Sequence, residues 1–166
     1  HPPNPPNNHH EKERVYGGEP IADLVVRSST LHGVQVAGTI IPNLIDEIPV
    51  LAVAATCAHG RTEIRDAAEL RVKETDRIAA MAENLQALGA RVEVFDDGLA
   101  IEGRCRLRGT TVRSFDDHRI AMAMGVAGLV AEGETLIEGA ECARISFPGF
   151  WEELDRLAGR PIPANP

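Results

Sequence analysis

Three groups of charged residues stand at the edges of apolar runs, and their types suit proton transfer and anion binding. Lys73, Glu74 and Arg77 open the stretch from Leu70 to Leu85, in which Arg71 and Asp76 also fall. Asp46 and Glu47 precede an apolar run from Ile48. Asp116, Asp117, His118 and Arg119 precede another, from Ile120. Carboxylates can move protons, while lysine and arginine can hold phosphate or carboxylate in fixed places. A helix N-terminus adds free N–H groups and a partial positive charge, which also favours an anion. Each group has a plainer explanation. Asp46 and Asp117 serve as helix caps without any further role. Lys73 and Glu74 read equally as local ion pairs on a solvated helix start. His118 alone reads as structural. Arg119 is harder to set aside: a basic residue in the first turn of an apolar helix needs a partner, either Asp116 or a ligand anion.

The elements that must position these residues can be read from periodicity. Ile78, Met81, Ala82 and Leu85 have the spacing of one apolar helix face, so a helix is expected to start near Lys73 and to stop at Gly89. Residues 42–58 read as a loop and then a helix apolar nearly all round, hence buried, ended by Gly60. Residues 117–131 read as a second buried helix, ended by Gly133, and residues 150–157 as a short third. Strands are expected at 22–27, 31–37, 61–65, 106–113 and 134–138. Residues 91–95 and 99–102 read as a hairpin turning at Asp96, Asp97 and Gly98. The class is α/β. Residues 1–16 are rich in Pro, Asn and charge and read as a linker or tail, 17–159 as the folded part, and 160–166 as a second tail. His9 and His10 in the first tail are read as incidental rather than metal-binding.

The sequence also repeats itself. LHGVQV at 31–36 matches LRGTTV at 107–112, an offset of 76. GRTEIRDA at 60–67 matches GETLIEGA at 133–140, an offset of 73. The order strand, apolar helix, Gly-x-Thr-x-Ile strand, helix recurs, which points to an internal duplication of a small α/β unit.

Bulk properties bound the function classes. The 166 residues suffice for one sizeable core. A net charge of −8, from 17 basic and 25 acidic residues, argues against a general nucleic-acid or anionic-membrane surface. It leaves room for a local cationic site. Cys57, Cys105 and Cys142 are scattered and no CxxC occurs, so neither a disulfide framework nor a zinc site is expected, and a reducing compartment is. No run was expected to reach transmembrane length, and the start does not read as a signal peptide. With no initial Met, the chain is expected to be a fragment or a processed product.

The strings LRVKETDRIAAMAENLQALGA, DDHRIAMAMGVAGL and SFPGF, with LIDEIPVLAVAA at 44–55, resemble the C-terminal half of the 5-enolpyruvylshikimate-3-phosphate synthase (3-phosphoshikimate 1-carboxyvinyltransferase) family. The likeness runs from about Gly17 to Leu157. It implies the enolpyruvyl transferase fold, with repeated βαβαββ units and helix N-termini aimed at a cleft, and about two units of one domain here. It implies transfer of the enolpyruvyl group of phosphoenolpyruvate to the 5-hydroxyl of shikimate 3-phosphate, with release of phosphate. No cofactor and no metal are expected, and the cytoplasm is the expected location. By this resemblance Asp46 and Glu74 are the catalytic carboxylates, and Asp46 and Lys73 meet shikimate 3-phosphate. Arg77 and Arg119 hold phosphoenolpyruvate, flanked by His118.

Two departures from the family pattern stand out. Some members carry a Lys two residues before the Phe-Pro pair; here that position is Ile145, with Arg144 beside it. The Lys-Ser, Asn-Ser-Gly-Thr and Arg elements of the N-terminal half are absent from this sequence. The missing half is therefore an expected partner, self-association of the fragment is a second expectation, and the chain alone is expected to be inactive or nearly so. A UDP-N-acetylglucosamine enolpyruvyl transferase relative and a non-catalytic binding module on the same fold are the alternatives; RVKETDR argues against the first, and the retained Asp46 and Glu74 against the second.

Overall fold

Two parallel strand pairs, one from each copy of the repeat, carry the molecule. A computed structural model describes residues 14–16 and 19–159; the tails at 1–13 and 160–166, with His9 and His10, lie outside the described residues. The first copy pairs β3 (Gln35–Val36) with β4 (Arg61–Ile64) in parallel, with Val36 opposite Ile64. The second pairs β7 (Thr111–Arg113) with β8 (Leu136–Glu138), with Val112 opposite Ile137. The duplication holds atom by atom. The N–H of Gly33 donates to His59 O at 2.7 Å, and that of Gly109 to Glu132 O at 2.8 Å. At either glycine a Cβ would sit 2.2 Å from a carbonyl oxygen of the facing strand, Arg61 in one copy and Glu134 in the other. Gly33→Ala and Gly109→Ala are therefore expected to destabilise the chain alike, by about 1–3 kcal/mol each, because both backbones must part. Matched shifts in urea midpoint would bear this out; a silent Gly109→Ala would break the equivalence.

Within each copy an apolar helix joins the parallel strands. The segment from Gly38 to Glu47 runs through a 3-10 turn, α1 (Ile41–Leu44) and a second 3-10 turn, then α2 spans Ile48–Cys57. The second copy has α4 (His118–Val130). These helices pack on each other and share one core with the sheet: Ile48, Ala52 and Val53 meet the cluster that holds Ile64, Leu99, Ile101, Ile120 and Met124. Gly38–Cys57 is, contrary to the sequence expectation, long and apolar enough to cross a membrane, but Asp46 and Glu47 interrupt it and its α2 half is core. Gly60 and Gly133, both at positive φ, turn the chain out of α2 and α4.

α3 (Arg77–Ala87) follows β4, and the hairpin of β5 (Arg91–Phe95) and β6 (Gly98–Glu102) completes a sheet of order β3-β4-β6-β5. Ile78, Met81, Ala82 and Leu85 are buried, as their spacing requires. After β8 come a 3-10 helix, Ala140–Ile145, and α5 (Phe150–Leu157), whose Trp151 donates its indole N–H to Ala140 O at 3.0 Å.

Several boundaries differ from the sequence reading. α3 starts at Arg77 and not near Lys73, because Asp76 caps it, accepting the Ala79 N–H at 3.0 Å. The strand expected at 22–27 is not one: Leu24, Val25 and Val26 are exposed, and no strand lies beside them among the described residues. Alternation gives a strand only where a neighbour takes up its N–H and C=O groups. The strands expected at 31–37 and 106–113 shorten to two and three residues, each with one isolated bridge ahead, His32–His59 and Arg108–Glu132. Within the expected first tail, β1 (Arg14–Tyr16) pairs antiparallel with β2 (Glu19–Ile21).

Candidate functional site

Arg77 gathers three elements that are distant in sequence. Its side chain, 1% exposed, donates from Nε to Asp117 Oδ2 at 2.7 Å and from a terminal nitrogen to Asp46 Oδ1 at 2.9 Å. Its other terminal nitrogen reaches Glu74 Oε2 at 2.5 Å and Asp117 Oδ1 at 3.5 Å. Burial works against the guanidinium charge, but the hydrogen bond and charge of Asp117, with Glu74 and Asp46, outweigh it and raise its pKa.

The three helix starts therefore converge. Asp46 sits in the 3-10 turn that leads into α2. Glu74 and Lys73 lie in the short loop before α3. Asp117 caps α4, accepting the N–H groups of Arg119 at 2.8 Å and Ile120 at 3.2 Å. Phe115 and Asp116 both take positive φ to bring Asp117 into place, a strained pair of turns beside the site. His118 is the first residue of α4 and is half-buried.

Arg119 and Lys73 flank the two half-exposed carboxylates. Arg119 donates to Asp46 O at 2.7 Å and Glu47 Oε1 at 2.9 Å, and stands 3.7 Å from Asp46 Oδ2. Lys73 pairs with Glu69 and lies 3.9 Å from Asp46; the Glu69 hydrogen bond raises its pKa. The cations are thus answered by carboxylates, and an incoming anion must take Arg119 from Glu47 and Lys73 from Glu69. A cavity of about 180 Å³ lies alongside, lined by Asp46, Glu47, Arg119, Met122 and Phe150 among others. Among the described residues, no three His, Cys, Asp or Glu side chains gather as metal ligands would. The three cysteines are free thiols.

The structure brings Asp46, Lys73, Glu74, Arg77 and Arg119 together, with His118 next to them in the chain. It leaves Arg144 and Ile145 exposed in the last 3-10 helix, with no contact to these side chains. Three residues have larger parts than their sequence context suggested. Asp117 is a buried counter-charge as well as a cap. Glu47 holds Arg119. Arg71 donates to Asp96 O, Phe95 O and Asp76 Oδ2, each at 2.7 Å, and so ties the loop that carries Lys73 and Glu74 to the β5–β6 turn. The charge density around Arg71 was visible in sequence; its partners, 24 and 25 residues away, were not.

Comparison with known proteins gives concordant matches. The family model described as EPSP synthase (3-phosphoshikimate 1-carboxyvinyltransferase) matches residues 12–154. A 3-phosphoshikimate 1-carboxyvinyltransferase of Salinibacter ruber is 66% identical over 149 residues, 89% of this chain and 35% of that protein. One from Roseiflexus castenholzii is 57% identical over 145 residues, 87% of this chain and 34% of that protein. Among solved structures, EPSP synthase from Acinetobacter baumannii superposes with a TM-score of 0.83 at 44% identity, covering 89% of this chain and 35% of that one. The chain spans about a third of the length of the curated relatives it matches, and it corresponds to their C-terminal portion.

Proposed function

The chain belongs to the EPSP synthase family, and from that premise we propose that it supplies one face of a site that moves the enolpyruvyl group of phosphoenolpyruvate to the 5-hydroxyl of shikimate 3-phosphate, releasing phosphate. The observation that carries this reading is the convergence on Arg77: one guanidinium holds Asp46, Glu74 and Asp117 from three separate elements. Two proton-transfer groups are kept side by side this way, with cations at their flanks. In the reaction the hydroxyl oxygen bonds to C2 of the enol, its proton leaves, and the methylene carbon gains a proton before phosphate departs. Asp46 is placed to take the hydroxyl proton and Glu74 to serve the methylene carbon. Fixed cations favour the phosphate as it leaves.

The cations divide the work by what they have left to give. Arg77 has one of its five N–H groups uncommitted among the described residues. It offers phosphoenolpyruvate little beyond that, and mainly positions the carboxylates. Arg119 is 29% exposed, reaches both the cavity and Asp46, and is the better grip for an anion, with His118 at its side. Lys73 is set toward Asp46 and the hydroxyl of shikimate 3-phosphate. The reading needs no cofactor or metal, and it places the protein in the cytoplasm, where free thiols persist.

Asp46 and Glu74 face open solvent here, so the site lacks the enclosure that makes fixed charges effective. The upstream part of the protein is the proposed partner that closes it. Phosphate release from phosphoenolpyruvate with shikimate 3-phosphate tests this. The chain alone is expected to be silent, and the chain mixed with the upstream part of the 66%-identical relative to turn over. Turnover by the chain alone would show that it builds a whole site, through self-association. Silence in the mixed, bound assembly would favour a non-catalytic module.

A further inference from the structure

The two copies of the repeat differ at one sheet edge. In the first copy β4 has β3 on one side and β6 on the other. In the second, β8 has β7 on one side and, among the described residues, nothing on the other. Beyond these strands the copies keep step. The 3-10 helix at Ala68–Val72 corresponds to that at Ala140–Ile145, and Arg77, which opens α3, corresponds at the offset of 73 to Phe150, which opens α5. The first copy then runs on into the β5–β6 hairpin that covers β4; the second has no such hairpin.

The consequence shows in burial. Thr62 is 2% exposed and Ile64 is fully buried, and each pairs with a residue of β6. Their counterparts Thr135 and Ile137 are only half-buried, and Leu136 is 60% exposed. The backbone agrees. The Leu136 N–H donates across to Thr110 O at 3.1 Å, on the β7 side. Successive residues of a strand face opposite ways, so the N–H and C=O of Ile137 point to the open edge.

We propose that this edge is the seat of an antiparallel strand from the part of the longer protein that precedes the chain, so that a sheet, and not only the cleft, joins the two parts. This deepens the transferase reading and rests on its claim that an upstream part exists. By analogy with β6, the incoming strand has apolar alternate residues and a glycine beside the Ile137 carbonyl; at Gly98 a Cβ would lie 1.9 Å from Ile64 O. The β1–β2 hairpin is not the natural occupant. Its strands begin 77 and 79 residues before β5 and β6, so it stands ahead of β3 as β5–β6 stands ahead of β7, and the same order assigns it to a preceding unit. Residues 158–166 carry three prolines and lack the N–H groups a ladder needs. The relatives hold about two thirds of their length outside the match, upstream of it.

Amide-resolved hydrogen exchange tests this, on the chain alone and mixed with the upstream part of the 66%-identical relative, with phosphate release read in parallel. The Ile137 amide is expected to slow by about tenfold or more on mixing, while the Leu136 amide, already bonded, changes little. Restored turnover with an unprotected Ile137 overturns the proposal and leaves the transferase reading standing. Protection without turnover supports the proposal and counts against that reading. Protection that grows with the chain's own concentration, with no upstream part present, makes a second copy the occupant and overturns it. A folded upstream part that does not bind overturns both.

Discussion

Asp117→Ala is expected to cost the chain about 3–5 kcal/mol, among the largest effects of any single polar substitution in it. The Arg77 side chain is 1% exposed and that of Asp117 is fully buried. Removing the carboxylate leaves a guanidinium in the core with only Asp46 and Glu74, both about half exposed, to answer it. The cap on α4 goes as well, which adds about 0.5–2 kcal/mol. Two further variants separate these causes. Asp117→Asn keeps an oxygen for the Arg119 and Ile120 N–H groups but loses the charge, so it should cost less than Asp117→Ala. Arg77→Leu combined with Asp117→Asn removes the stranded charge altogether and should be more stable than Asp117→Asn alone, since an unpaired buried charge costs more than an absent pair. Urea midpoints at constant slope measure all three. Single costs that simply add in the double variant, within about 0.5 kcal/mol, would mean that Arg77 and Asp117 are not coupled, and the account of the hub would fail.

That hub also marks where sequence reading stopped. α3 and α4 were legible because a cap and an apolar period sit in one window: Asp76 before Ile78, Asp117 before Ile120. α5 came out at its observed bounds for the same reason of local period. The hairpin followed from Asp96 and Asp97, and the duplication from matched Gly-x-Thr-x-Ile strings whose glycines proved to face carbonyls in the same way. Pairing across long separations was not legible. Arg77 lies 31 residues from Asp46 and 40 from Asp117, and no local period links them. The family resemblance named both Asp46 and Arg77, but as ligands of substrates and not as each other's partners. The strand expected at 22–27 failed for the converse reason. Its local pattern is correct, and what it lacks is a neighbour, which no local pattern reports.

Asp46→Asn and Glu74→Gln should behave in the opposite way to Asp117→Ala. In the assembly with the upstream part, each is expected to lower turnover by about 10²–10⁴-fold, the usual worth of a positioned acid or base. Each should cost the fold about 1 kcal/mol or less, because both carboxylates are about half exposed and their pairing is screened by water. Arg77 keeps Asp117 in either variant, so its buried charge stays answered. Glu47→Gln is the control: Glu47 is exposed, bonds only Arg119 among these cations, and has no proton to move in the proposed reaction. Its loss should free Arg119 for an anion and leave turnover within about tenfold of the parent. The split between stability and rate is what matters. Were Asp46 and Glu74 merely surface salt bridges, all three variants would look alike, with small effects on both readouts. Turnover lost in the first two alone, with the fold intact, is the pattern expected of proton-transfer groups held in place by a buried pair that does none of the chemistry itself.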